Sequence, residues 1–136
     1  MPEMEFAGIG AAHVDVLWPL VERHIKRALE FGNGEYAPED IKAFLKNRDM
    51  QLWVVGSGKG VAGAGVTQIV VYPRRKYLDM VLFAADVPFE ECRPLVAAVE
   101  RWAEKLCATP RIFGRKGWAR KLPNYIPKFT VFVRSS

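Results

Sequence analysis

Apolar side chains recur every three or four residues in two stretches of this chain, and each stretch predicts an amphipathic helix. The first stretch contains Val14, Leu17, Val21, Ile25 and Ala28. The second contains Phe89, Cys92, Leu95, Val96, Val99, Trp102, Ala103 and Leu106. A shorter helix is expected to begin near Pro38, because proline is favoured in a first helical turn. In the first helix we expect Asp15 to cap the start and His24 to face solvent.

Between the helices, β-branched and aromatic residues predict strands. Residues 51–55 and 61–72 flank the sequence Gly56-Ser57-Gly58-Lys59-Gly60, as expected of a hairpin. Residues 77–85 are almost continuously apolar, which favours a central strand covered on both faces. The end of the chain is expected to contain three elements. They are a strand around 111–114, a short helix over 118–122 and a final strand over 128–134.

The composition is typical of one globular domain spanning residues 1–136, since 50% of the 136 residues are hydrophobic and 26% are charged. No apolar run reaches the ~20 residues that a membrane helix needs. The N-terminal sequence is acidic and lacks the basic region of a signal peptide. We therefore expect a cytoplasmic protein without a membrane partner.

The cysteines and histidines do not suggest a cofactor or metal site. Cys92 and Cys107 fall in one predicted helix, where a rise of about 1.5 Å per residue separates them by roughly 22 Å. Since a disulfide needs Cα atoms within about 7 Å, both are expected to be free, buried thiols. His13 and His24 are isolated from other ligand types, so no metal site is predicted.

Charge is distributed unevenly along the chain. Residues 1–104 hold 12 basic and 15 acidic residues, whereas residues 105–136 hold eight basic residues and no acidic one. Aromatic residues interleave with these basic ones: Phe113, Trp118, Tyr125, Phe129 and Phe132. Such an end is able to bind nucleic acid or another anionic partner. The alternative is that the aromatic residues belong to the core and the basic ones to a solvated face.

The run Gly114-Arg115-Lys116-Gly117-Trp118, the hairpin over 54–65 and the order of the elements resemble the GNAT (Gcn5-related N-acetyltransferase) superfamily, in particular small phage-encoded members. The resemblance implies an α/β (α+β) fold, with a mixed, mostly antiparallel sheet and helices on both faces. It also implies transfer of an acetyl group from acetyl-CoA to an amine substrate. A phage origin would place the protein in the bacterial cytoplasm or in the virion.

The family motif Gln/Arg-x-x-Gly-x-Gly/Ala lies between the central strand and the main helix, where backbone N–H groups hold the diphosphate of acetyl-CoA. Residues 84–94 occupy that junction here and contain no glycine. Pro88 and Pro94 lack an N–H, and Asp86, Glu90 and Glu91 would repel a diphosphate. Arg93 is the one compensating charge, so the junction is poorly suited to acetyl-CoA.

The resemblance also indicates site residues. Direct transfer needs a base for the amine and an acid for the leaving thiolate, and the matching positions are Asp79 on the central strand and Tyr125 after the short helix. Alternation could instead turn Asp79 to solvent, and Tyr125 could simply cover the core. Arg93, Arg115, Lys116 and Gly117 are the candidates for binding the cofactor's anionic groups. Gly114 and Gly117 are equally suited to a structural turn.

Two functions therefore follow from the sequence. The first is an acyltransferase homologue with a divergent acetyl-CoA site. The second is a non-enzymatic module, associated with a virion or with nucleic acid, that uses the basic C-terminal face.

Overall fold

The computed structural model describes residues 5–32, 34–57, 60–114 and 117–135. The elements in chain order are β1 (Glu5–Ile9), α1 (Val14–Leu29), α2 (Pro38–Lys46), β2 (Gln51–Ser57), β3 (Gly60–Val71), β4 (Lys76–Ala85), α3 (Phe89–Lys105), β5 (Thr109–Ile112) and α4 (Trp118–Lys121). A short 3-10 turn, Ala11–His13, precedes α1. In the described part of the chain, no helix is both long enough and apolar enough to cross a bilayer.

The five strands form one sheet in the order β1-β2-β3-β4-β5. The pairings from β1 to β4 are antiparallel, and β5 joins β4 in parallel. The predicted hairpin and the predicted central strand are thus confirmed, and the sheet is mixed and mostly antiparallel. The parallel step follows from α3, since parallel neighbours need a crossover connection, usually a helix.

Helices cover both faces of the sheet, as expected from the α/β (α+β) assignment. On one face, α1 and α2 pack against the sheet through a core that includes Val21, Ile25, Ile41, Leu45, Leu52, Val66 and Leu82. On the other face, α3 packs through Cys92, Leu95, Val99 and Ala103 against Trp53, Val55, Leu78 and Met80. Because β4 contributes to both cores, its near-continuous apolar sequence is explained by burial on both faces.

Two expectations for α1 were wrong. The carboxylate of Asp15 makes no cap at the helix start and instead pairs with Lys46 at 3.0 Å and Lys42 at 3.5 Å, which links α1 to α2. The side chain of His24 is completely buried. Position 24 lies three residues after Val21 and four before Ala28, so it belongs to the buried stripe of the helix.

The predicted final strand over 128–134 is not formed, and these residues have no regular secondary structure. Alternating apolar residues show that a segment is able to pair, but a strand forms only where a neighbouring edge accepts it. Both cysteines are free, as predicted, but Cys107 is not buried as expected. It follows the end of α3, adopts φ 55° and is exposed, whereas Cys92 is buried.

Candidate functional site

The parallel strands β4 and β5 pair over four residues and then separate. The ladder runs from Tyr77 opposite Thr109 to Met80 opposite Ile112, where β5 ends. At this point β4 contains a bulge against β3, because Val81 is an extra residue in the register. A bulge bends its strand. The rest of β4, residues 82–85, keeps its β3 partners and has no described partner on the β5 side.

A cavity of about 860 Å³ occupies the space that this separation opens. Its walls are the free side of β4, the start of α3, the α4 helix and the connection between α1 and α2. The lining is largely apolar, and its charged side chains are Arg27, Glu35, Asp79, Arg111 and Lys121. An elongated, mostly apolar ligand with polar groups along its length fits such a cleft.

Asp79 lies in the wall of this cavity and is only 2% exposed. Its two carboxylate oxygens accept hydrogen bonds from Nε and Nη2 of Arg111 at 2.7 and 2.8 Å. Arg111 also stacks over the ring of Tyr77, 4.1 Å from the centroid. The hydrogen bonds to Asp79 raise the pKa of the Arg111 guanidinium above its usual value. Asp79 therefore does not face solvent, and any proton transfer to it would compete with a bidentate ion pair.

Tyr125, the predicted acid, lies elsewhere. Its hydroxyl donates to Oε2 of Glu100 on α3 at 2.7 Å, and the residue is absent from the described lining of the cavity. Burial, and then the hydrogen bond to the Glu100 carboxylate, raises the pKa of Tyr125. The structure thus does not bring Asp79 and Tyr125 together in one site.

At the junction between β4 and α3, the negative charge of Asp86 is balanced by basic residues that the sequence did not indicate. Asp86 accepts hydrogen bonds from Arg23 and Arg27 of α1, the latter at 2.9 Å. These two guanidinium groups hold the pKa of Asp86 well below its usual value. Arg93 is therefore not the one compensating charge at this junction. Two arginines, 59 and 63 residues earlier in the chain, neutralise the acid.

Arg93 itself is held by its own helix. Its Nε and Nη2 donate to the Glu90 carboxylate at 2.7 and 2.9 Å, and its guanidinium lies 5.1 Å from the Phe89 ring centroid. Lys121 lies beside the same ring, with its Nζ 5.7 Å from both the Phe89 and the Trp118 centroids. Of these two cations, Lys121 is the one that lines the cavity.

Arg115 and Lys116 lie outside the described residues. Gly117 precedes α4, and a Cβ atom placed on it would meet nothing within 4 Å. Gly114 is different, because a Cβ atom there would lie 2.4 Å from Cδ1 of Trp118. Glycine at position 114 therefore allows the Trp118 ring to approach the chain and to pack against Phe89 at 5.1 Å.

Sequence reasoning missed Arg111 and the two arginines that face Asp86. The signal for Arg111 is its position opposite Asp79 in the β4–β5 register, which is visible only once the strand pairing is known. The eight basic residues of the C-terminal region do not share one role, since Arg111 is withdrawn into an ion pair. No group of three metal-ligating side chains occurs among the described residues.

Comparison with known proteins reveals similarity in structure only. No protein-family model and no curated protein sequence matches the chain. An aminoglycoside acetyltransferase from an uncultured soil metagenomic sample, in complex with sisomicin, superimposes with a TM-score of 0.71. That alignment has 12% sequence identity and covers 98% of this chain and 96% of the other.

Two further structures agree. An aminoglycoside N-acetyltransferase in complex with CoA has a TM-score of 0.69 at 12% identity, with 99% of this chain and 96% of the other covered. A GNAT family acetyltransferase of Staphylococcus aureus has a TM-score of 0.65 at 13% identity, with 98% and 99% covered. The chain therefore has the GNAT acetyltransferase fold, as the sequence resemblance implied.

Proposed function

We propose that this protein transfers an acyl group from acyl-CoA to an amine, in the cleft between β4 and β5. The observation that carries the proposal is the bulge at Val81. From there on, the backbone of β4 borders the cavity on one side and the rest of the sheet on the other. A similar fold in another protein holds CoA, which supports the same class of ligand here.

The cleft suits the pantetheine arm of CoA for a physical reason. That arm is a flexible chain with two amide groups, and unpaired backbone N–H and C=O groups are strong hydrogen-bonding partners for amides. The free side of β4 over residues 81–85 offers such groups in an extended array. The arm would therefore lie along β4 much as an added strand does.

The diphosphate end of CoA requires a different arrangement from the glycine-rich cradle. Pro88 caps α3 and has no N–H to donate, while Glu90 is neutralised by Arg93. We propose that Lys121, in the wall near the start of α3, supplies the main charge for the diphosphate. Because Arg23 and Arg27 neutralise Asp86, that carboxylate repels the diphosphate less than the sequence indicates.

The acceptor amine would enter from the opposite part of the cavity, near Tyr36, Gln68 and Tyr72. Its nitrogen attacks the thioester carbonyl, a C–N bond forms and the C–S bond breaks. The amine loses a proton and the CoA thiolate gains one. In this proposal Asp79 fixes Arg111 in the cavity wall. The fixed guanidinium in turn positions the aromatic rings of Tyr72 and Tyr77, which lie against it.

Calorimetric titration with acetyl-CoA and with acetyl-pantetheine tests the proposal. We expect both to bind, and Lys121→Ser to weaken acetyl-CoA about tenfold while leaving acetyl-pantetheine unchanged, since only the former carries a diphosphate. Arg120→Ser is the matched control, because Arg120 is an exposed neighbour outside the described lining. Absence of binding at millimolar acetyl-CoA would refute the function. Equal effects of the two variants would refute only the role of Lys121.

A further inference from the structure

Three polar residues form one row across the sheet, at the end of the cavity away from the β4–α3 junction. Gln68 of β3 lies opposite Asp79 of β4, and Asp79 lies opposite Arg111 of β5. Side chains of directly opposite residues share one face of a sheet. Gln68 is two residues from Val66, which belongs to the core under α1 and α2. The row therefore lies on that face, and all three of its residues line the cavity.

The carboxylate in the middle of this row is already used within the protein. Both oxygens of Asp79 accept hydrogen bonds from Arg111, and the Asp79 side chain is only 3% exposed. An acceptor with several positive charges would need an available carboxylate at this place, and Asp79 does not offer one. The row therefore presents hydrogen-bond donors to the cavity.

These donors belong to Arg111 and its neighbours. Nε and Nη2 of Arg111 bind Asp79, whereas Nη1 carries two N–H groups and makes no hydrogen bond with any described residue. The Tyr72 hydroxyl accepts from Nη2 at 3.4 Å, so its own proton is available to a further acceptor. The Gln68 amide, in the same row, is able to add another N–H donor.

The Arg111 guanidinium is held in place before any ligand binds. Asp79 fixes one edge of it, and its central carbon lies 4.1 and 5.1 Å from the ring centroids of Tyr77 and Phe113. A fixed guanidinium loses little freedom when it forms a hydrogen bond, so it recognises a carboxylate more effectively than a mobile surface cation does.

The surface around this end of the cavity is also positively charged. Arg74 and Arg75 lie in the connection between β3 and β4, soon after Tyr72, and both are exposed. Neither forms an ion pair with a described residue. Residues 68–78 contain no acidic side chain. An anionic group is therefore attracted to this end of the cavity over about 8 Å, the Debye length at physiological salt.

On the basis of the proposed acyl transfer, we infer that the acceptor is an amine whose far end is a carboxylate, bound by Arg111, Tyr72 and Gln68. The row lies two residues before the bulge at Val81, roughly 7 Å along β4. With the thioester at the bulge, the nitrogen and the carboxylate must be separated by a similar distance. An ω-amino acid meets this requirement, whereas an α-amino acid is too short. The products are an N-acylated ω-amino acid and free CoA.

Two probes that differ only in their charged group test the carboxylate site without any catalysis. They are para-(aminomethyl)benzoate and para-(aminomethyl)benzamide, in which a ring separates the amine from the other group. In an NMR titration the benzoate should bind about tenfold more tightly, since hydrogen bonds to charged groups are the stronger ones. The largest shifts should fall on the Arg111 Nε–H and on the backbone of Gln68 and Tyr72. Equal affinities, or shifts located elsewhere, would overturn the inference.

Arg111→Lys separates recognition from folding, because an ammonium is able to pair with Asp79 but offers no counterpart of Nη1. It should abolish the preference for the benzoate and leave benzamide binding unchanged. If thermal unfolding shows that Arg111→Lys is not folded, Asp79→Leu/Arg111→Met gives the same test with both buried charges removed. Tyr72→Phe should weaken the benzoate about threefold, since only one hydroxyl is lost. A preference that survives all three changes would contradict the assignment.

The surrounding charge has its own control. Replacement of Arg74 and Arg75 together with Ser should weaken the benzoate about twofold at low salt and have no effect at high salt. Arg101→Ser should change nothing, because Arg101 is exposed on α3, which covers the other face of the sheet. An equal loss of affinity in Arg101→Ser would assign the attraction to net charge and overturn a local site.

Turnover distinguishes this inference from the proposed function itself. With acetyl-CoA, release of the CoA thiol should have a kcat/KM at least about tenfold higher for the benzoate than for the benzamide or for spermidine, a polycation. Turnover that favours either of the other two amines would overturn the carboxylate-bearing acceptor. No thiol release with any of the three, together with no binding of acetyl-CoA, would refute the acyl transfer. The NMR titration would then still show whether the site binds carboxylates.

Discussion

Asp79 of β4 and Arg111 of β5 lie opposite each other in the parallel ladder and form a bidentate ion pair at 2.7 and 2.8 Å in the wall of the cavity. The Asp79 side chain is 3% exposed and that of Arg111 is 22% exposed. The pair joins the two strands at the place where they begin to separate, so it couples the stability of the sheet edge to the shape of the cavity.

Removal of Arg111 alone should destabilise the protein strongly. Arg111→Met leaves the Asp79 carboxylate buried and unpaired, and we expect a loss of about 3 kcal/mol in the free energy of unfolding, since a broken buried pair costs roughly 3–5. The double variant Asp79→Leu/Arg111→Met should recover most of that loss, because no unpaired charge remains. Urea unfolding measures both.

The exposed pair of Glu90 and Arg93 provides the matched control. Arg93→Met should leave the urea midpoint unchanged, because water solvates both partners and exposed pairs contribute little. If Arg111→Met behaved like Arg93→Met, the Asp79–Arg111 pair would not stabilise the fold.

Gly114 and Gly117 should respond differently to alanine. A Cβ atom at 114 would overlap Trp118 at 2.4 Å, so Gly114→Ala should displace the ring from Phe89 and cost about 1–3 kcal/mol. Gly117→Ala meets no atom within 4 Å and keeps a φ of −59°, so it should be neutral or stabilise by about 0.4–1 kcal/mol. Thermal unfolding gives the stabilities, and tryptophan emission should change only for Gly114→Ala. A neutral Gly114→Ala with unchanged emission would contradict the close approach.

His24 should make stability depend on pH below neutrality. Burial, and then the charge of Arg23, lowers the pKa of His24 below its usual value of 6.5. As the pH falls through about 6.5, the unfolded chain takes up a proton that the folded protein refuses, so the free energy of unfolding decreases. The loss should appear between about pH 7 and pH 5 in denaturant unfolding.

His24→Leu should flatten that dependence, since leucine does not titrate. His13→Leu is the control, because His13 is exposed at the start of α1 and is the one other histidine in the sequence. A pH profile that His24→Leu leaves unchanged would assign the dependence to other groups.

Tyr125 should make the stability of the fold depend on pH in the alkaline range. Burial and the Glu100 carboxylate raise the pKa of its phenol above the usual value of 10.0, so the folded protein keeps the proton at pH values where the unfolded chain releases it. Its contribution to stability is therefore complete below about pH 10 and is lost as the pH rises through the folded-state pKa. Ultraviolet titration should show Tyr125 ionising only as the protein unfolds. A Tyr125→Phe difference titration that reveals an ordinary phenol would refute the buried hydrogen bond.

The sequence by itself determined the elements whose signal is local. Helical periodicity located α1 and α3, and β-branched residues with a glycine-rich turn located the hairpin of β2 and β3. These patterns succeed because each helix or strand must bury one face, and burial imposes its period on the residues concerned. The continuous apolar run of β4 likewise indicated a strand covered on both sides, which the two cores confirm.

Only the tertiary structure decided which polar groups meet. Asp79 pairs with a residue 32 positions away and Asp86 with two residues about 60 positions away, and no local pattern encodes such distances. The burial of His24 likewise depends on the width of the face that the sheet covers. The segment 128–134 is another case in which the local sequence does not decide the structure. Its residues determine that it is able to be a strand, whereas the presence of a free edge within reach determines whether it is one, because main-chain hydrogen bonds in a sheet always require a second strand.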